Sequence, residues 1–196
     1  MLLIALLLPI WAVSNDEPQP LKGTIVQIVS QKSCEEKTGY TFIQNLRVHI
    51  VNQTQEKLIV ERSTFSYQVY VARDLDALSK RIYEYKPNID RAIDGRPEPA
   101  NSGPDTDFAI LAHDDFYDGF VDFWVSVRRA DLPRQRGTLQ PGSHVLQLEI
   151  ATWDYQSNPE GFQKSWAPFG RLIYKPVKTE PIPLYLPSDP KLDNCR

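Results

Sequence analysis

The sequence predicts an all-β fold, an antiparallel β-sandwich with one short helical insert, and three features carry that reading. Short segments rich in Val, Ile, Phe, Tyr and Thr recur along the 196-residue chain, each bounded by turn residues. Several alternate cleanly: Leu46, Val48 and Ile50 share one face against Arg47 and His49, and Leu146, Leu148 and Ile150 oppose Gln147 and Glu149. Such alternation marks sheets with one face on a core. Finally, 16 prolines against 9 glycines favour rigid loops over helix interiors, which proline breaks.

The strand segments come in two groups. The first is 24–30, 42–51, 58–61 and 65–72. Asn52-Gln53-Thr54-Gln55 between the second and third is a polar turn, read as a hairpin or a sheet-to-sheet connection. An insert over 74–107 follows. Leu75, Leu78, Ile82 and Tyr85 fall near a 3.6-residue period behind Asp74, which predicts a helix over 75–85 with an aspartate cap. Residues 87–107 are rich in Pro, Gly and Asp and read as a long loop or flap. The second group of strands is 108–113, 121–128, 145–152, 171–174 and 182–186. In 121–128, Phe123, Val125 and Val127 claim the core face and leave Trp124 outward with Asp122 and Ser126.

Met1 to Val13 is an unbroken apolar run that ends in small residues, Ala12-Val13-Ser14, and is followed by Asn15-Asp16-Glu17. It is too short to span a hydrocarbon layer, which needs about 20 residues. Residues 1–14 are therefore expected to be a cleaved export signal, although no Lys or Arg opens them; the alternative is an anchoring or buried N-terminal segment. Residues 15–196 then form a single soluble domain without a transmembrane segment, in a periplasmic, cell-envelope or extracellular setting. In an exported chain the two cysteines, Cys34 and Cys195, invite a disulfide closing almost the whole domain; two free thiols are the alternative. The net charge of −3 excludes the basic footprint of nucleic-acid binding.

The stretch Thr138-Leu139-Gln140-Pro141-Gly142-Ser143-His144-Val145-Leu146-Gln147-Leu148 places a leucine and a Pro-Gly turn before an alternating strand. It resembles the corner before a late strand in immunoglobulin-like and fibronectin-like domains, with His144 standing where those families often carry tyrosine. The order of strand, Asn-x-Thr turn, strand, insert, Pro-Gly corner and strand is also faintly similar to the intracellular proteinase inhibitor family. These resemblances imply a β-sandwich fold and bring no functional residues with them.

No nucleophile elbow, zinc helix, phosphate loop or Cys-x-x-Cys is present. Of the three histidines, His49 reads as a solvated strand residue and His144 as a hydrogen-bonded corner residue. His113 sits in His113-Asp114-Asp115-Phe116-Tyr117-Asp118-Gly119, where His113, Asp114, Asp115 and Asp118 could hold a cation such as Ca²⁺ or do acid–base work. The spacing fits no calcium loop, and an Asp-rich turn ending in glycine is common for backbone reasons alone. No other cofactor is expected. Arg128, Arg129, Arg134 and Arg136 form a basic stretch that either steers an anionic partner or keeps a sheet edge solvated.

The aromatic loop 152–170 carries Trp153, Tyr155, Phe162, Trp166 and Phe169. Trp153, Tyr155 and Trp166, with the outward Trp124, are the candidate binding residues for a carbohydrate or protein partner; the competing reading is that the loop aromatics cap the core. Asn52 lies in a formal glycosylation sequon. The expectation is a non-catalytic exported module for binding or envelope-associated interaction. The alternatives are a secreted metal-dependent or acid–base hydrolase built on the His113 cluster, and a carbohydrate-binding module built on the aromatics of 153–166.

Overall fold

The computed structural model describes residues 19–62, 67–86, 98–133, 135–153, 155, 157–193 and 195. The expected signal 1–14, residues 65 and 66 of one expected strand, residues 87–97 of the expected loop and Arg134 lie outside the described residues. The fold is all-β. In chain order the strands are β1 (Leu21–Glu36), β2 (Gly39–Asn52), β3 (Leu58–Glu61), β4 (Tyr67–Ala72), β5 (Phe108–Leu111), β6 (Phe116–Arg128), β7 (Thr138–Leu139), β8 (Gly142–Ile150), β9 (Arg171–Leu172), β10 (Val177–Lys178) and β11 (Ile182–Leu186). Helix α1 (Leu75–Ser79) follows β4 and α2 (Pro159–Trp166) follows β8.

The first sheet runs β1-β2-β6-β7 and is antiparallel except at its last pair. In the second sheet β8 is central. Both β4 and β11 pair with Val145 and Leu146, and both β4 and β10 pair with Glu149 and Ile150. Since a strand has two edges, β4 lies on one side of β8 and β11 and β10 lie in succession on the other. A small third sheet, β5-β3-β9, completes the sandwich.

The alternation read from the sequence becomes the core. Phe42, Leu46, Val48 and Ile50 of β2 and Val121, Phe123, Val125 and Val127 of β6 join Val69, Val71, Leu146, Leu148, Ile150, Leu184 and Leu186 in one cluster. β3 is buried on both sides, as its continuous apolar run requires. Leu58 and Val60 belong to the main core, while Ile59 enters a second cluster with Phe108, Tyr155, Phe162, Trp166 and Leu172. At the Pro-Gly corner Gly142 has φ +137°, the conformation the turn asks of glycine. His144 is bound at both ring nitrogens, to the Glu84 carboxylate at 2.7 Å and the Gln140 carbonyl at 2.9 Å. Gly170 (φ +152°) allows β9 to start beside β3, since a Cβ there would lie 2.6 Å from the Lys57 carbonyl oxygen.

Four expectations need correction. The helix expected over 75–85 ends at Ser79, because Arg81 takes a left-handed φ of 59° and Tyr85 bridges Val71 of β4. A second helix, α2, lies inside the aromatic loop, capped by the Asn158 side chain accepting from Glu160 N, with Pro159 in its first turn. The expected strands 108–113 and 121–128 run instead over Phe108–Leu111 and Phe116–Arg128, and they are not partners, because β5 pairs with β3 and β6 with β2. Cys34 lies within β1 rather than after it, and its bond to Cys195, with Cα atoms 5.6 Å apart, ties that strand to the C-terminal segment.

Burial raises several tyrosines. Tyr40, whose hydroxyl donates to the Pro187 carbonyl at 2.6 Å, and Tyr70 are each pushed up from 10.0 to about 12, chiefly by desolvation. Desolvation also raises Tyr85 and, further, Tyr117. The folded state thus favours the neutral phenol. That contribution to stability is complete below 10 and lost as pH rises through about 12. A near-ultraviolet titration should show a late phenolate step at about 12 that disappears in denaturant. A single step near 10 in the folded protein would refute this.

Candidate functional site

The long neighbouring strands β2 and β6 place one row of side chains away from the core. With a period of two, Tyr117, Gly119, Val121, Phe123 and Val125 face inward, which sends Phe116, Asp118, Phe120, Asp122 and Trp124 outward. Phe116, Phe120 and Trp124 are 52%, 51% and 59% exposed. Four residues apart, they stand about 13 Å from one another along β6. The register sets Val51, His49, Arg47, Asn45 and Ile43 of β2 opposite Phe116, Asp118, Phe120, Asp122 and Trp124 in turn.

The polar groups between the aromatics are already paired. Arg47 grips Asp118 with two parallel bonds, Nε to Oδ1 at 3.0 Å and Nη2 to Oδ2 at 2.5 Å. His49 Nε2 lies 2.7 Å from Asp118 Oδ1, and its ring stacks on Phe116 at 4.5 Å between centroids. Asn45 Nδ2 donates to Asp122 Oδ1 at 2.8 Å. The hydrogen bonds from Arg47 hold the Asp118 carboxyl below the usual carboxylate range and Arg47 above its own. Behind the row, the Tyr67 hydroxyl donates to the Asp122 carbonyl and the Tyr85 hydroxyl to the Trp124 carbonyl, at 3.2 Å for the latter. The result is a row of exposed aromatics in which Arg47 neutralises Asp118 and the Asn45 amide holds Asp122.

Of the four binding candidates, only Trp124 lies open. Trp166 is fully buried and Tyr155 nearly so, and half-buried Trp153 packs against their cluster. The indole nitrogen of Trp166 donates to the Ala100 carbonyl and that of Trp153 to the Ser157 carbonyl, both at 3.0 Å. The Trp153 ring is tilted 55° to Tyr155 and 63° to Trp166. The loop aromatics therefore form a satellite core with α2 rather than a flat platform. The physical reason is that β3 and β5 expose a second apolar face that something must cover.

The His113 cluster is dispersed. The expected turn is shorter, because Asp118 and Gly119 belong to β6. Asp118 serves Arg47 and His49, Asp115 Oδ2 accepts from Ala112 N at 2.8 Å, and His113 Nδ1 lies 3.1 Å from the Thr54 carbonyl. Asp114 is exposed with a left-handed φ of 62°. Asp118 thus takes partners apart from the other three, while His113 Nε2 stays 3.4 Å from Asp114 Oδ2. Among the described residues there is no group of three or more His, Cys, Asp or Glu able to hold a metal. In the basic stretch, Arg129 pairs with Asp131 at 2.7 Å and Arg128 binds Gln135.

Asn52, the sequon residue, is fully buried. Its amide nitrogen donates toward the carbonyls of Glu56 (2.7 Å), Leu111 and Ala112 (both 3.0 Å), and its Oδ1 accepts from Thr54 N. It anchors the crossing between sheets and does not present its nitrogen for glycosylation. A cleft of about 300 Å³ is lined by Leu21, Arg171, Leu172, Tyr174, Lys175 and Val177 among others, with no carboxylate or histidine in its wall.

From the sequence His49 reads as a solvated strand residue, and Phe116, Phe120 and Arg47 are not singled out. Their signal was present as the spacing Phe116-x-Asp118-x-Phe120-x-Asp122-x-Trp124, masked by the turn-like Asp-Asp-x-x-Asp-Gly composition. Among the described residues no helix is long and apolar enough to cross a membrane. No family model, curated protein or solved structure matches the chain.

Proposed function

We propose that this chain is an exported, non-catalytic binding module that engages a protein partner through the outward face of β2 and β6. The observation that carries this reading is the row Phe116, Phe120 and Trp124, half exposed on the outward face of the sheet. Three large aromatics left open on one face cost more solvation than singly scattered ones, and such gatherings mark interaction surfaces. Aromatic residues and arginine are also the types enriched where protein interfaces concentrate their energy. Arg47 and Asp118 already satisfy each other, so covering them leaves no charge unpaired. The separation of His113 from Asp118 favours binding over acid–base chemistry. The Cys34–Cys195 bond supports an oxidising, exported compartment.

The test is chemical cross-linking in the exported fraction of the native host, with tagged wild-type protein beside a Phe120→Ser/Trp124→Ser variant. Both substitutions are on the surface, so each should change stability by only about 0.5 kcal/mol. At least a tenfold loss of the cross-linked species is expected in the variant. Equal capture by both proteins would remove the face from the function.

A further inference from the structure

Resting on that reading of the face, we propose that its partner is a second copy of this chain. The two copies dock face to face about a two-fold axis parallel to the strands, midway between β2 and β6. Such an axis lays β6 of each copy over β2 of the other. Every outward side chain then meets, across the interface, the residue type that is its neighbour within the sheet. The register makes these meetings favourable: Trp124 over Ile43, Phe116 over Val51, and Phe120 over the guanidinium plane of Arg47. Asp118 falls over His49 and Asp122 over Asn45, so no like charges are opposed. Self-complementarity of this kind is what an isologous contact demands.

Size and access agree. β6 has 13 residues, so at about 3.3 Å each, the two strands that the axis superposes, about 4.8 Å apart, offer roughly 400 Å² in projection. A standard interface takes about 800 Å² per partner, so the contact is smaller than standard and the dimer a reversible one. Packed sheets lie about 10 Å apart and stay aligned within about 30°, so side chains standing from both faces fill the gap. The other route to a dimer, pairing of β1 edges, is narrowed at both ends. Glu180 N donates to the Gly23 carbonyl at 3.0 Å and Asp193 N to the Ser33 carbonyl at 2.8 Å. The edge left between them, 24–32, is broken by two register shifts.

Sedimentation equilibrium of the disulfide-bonded protein across the micromolar range tests the proposal, with circular dichroism to verify folding. A monomer–dimer equilibrium is expected, weakened at least tenfold by Trp124→Ala. It should be unchanged by Tyr185→Ala on β11 and by Ile28→Lys on the β1 edge, both exposed apolar positions elsewhere. The axis has its own signature. Ile43→Asp and Trp124→Arg should each be monomeric alone, yet associate one to one when mixed, because one contact of the pair becomes ionic and the other stays native. A wild-type monomer at every concentration, with the face-dependent cross-link to another protein intact, would overturn the second copy while keeping the face. A dimer lost in Ile28→Lys but kept in Trp124→Ala would overturn this interface, as would failure of the two monomeric variants to pair.

Discussion

Reduction of the Cys34–Cys195 bond is expected to lower the melting temperature by roughly 10–20 °C. The bond joins residues 161 apart. In the chain-entropy account, closing a loop of that length restricts the unfolded chain by about 5 kcal/mol, and for a domain of this size each kcal/mol moves the midpoint by about 2–4 °C. The folded state adds a local reason. Cys34 is buried near the end of β1, and the segment that carries Cys195 lies along that strand through Asp193, whose N–H bonds Ser33. Upstream, the Tyr40 hydroxyl holds the Pro187 carbonyl. Without the covalent link, these few contacts alone keep the C-terminal segment on the first sheet, so it should open first. Calorimetry with and without reductant, and on the Cys34→Ser/Cys195→Ser variant, checks the figure. A shift below about 2 °C would mean that the unfolded chain is already restrained in other ways.

Which side of a strand faces inward proved legible, and which strands are neighbours did not. Alternation is local: Leu46, Val48 and Ile50 announce their shared face within five residues, and they lie in the core. Register is non-local, and nothing within 108–128 states that its two strands enter different sheets. The cysteine pair was legible because a chain with two cysteines leaves each thiol one intramolecular partner. The outward row of β6 was hidden by a conflict between scales. Asp114, Asp115, Asp118 and Gly119 read locally as a turn, yet Tyr117 and Gly119 face the core opposite β2 and carry Asp118 into the ladder. Strand pairing over the whole of β6 outweighs the turn preference of its first residues. The aromatic loop left two readings open, binding or capping the core, because the apolar face its tryptophans cover, Ile59 and Phe108, lies on strands far away in sequence.

Trp166→Ala is expected to cost about 4 kcal/mol, equivalent to a fall of roughly 8–16 °C in melting temperature. Trp166 is fully buried, its ring edge-on to Phe108 at 4.8 Å and to Phe162 at 5.3 Å, and its N–H bonds the Ala100 carbonyl. Truncation removes the anchor of α2, empties the centre of the second cluster and leaves that carbonyl without its donor. Trp166→Phe keeps part of the packing and loses the bond, so its cost should be about half as large. The same truncation at Trp124 should change stability by only about 0.5 kcal/mol, because that indole already lies in water. Urea unfolding of the three variants separates the roles of the two tryptophans. Equal losses at both positions would show that the outward face is covered in the folded monomer, and would sink its assignment as a recognition surface. Unequal losses, with association falling only for Trp124, divide the tryptophans into one that builds the domain and one that it presents.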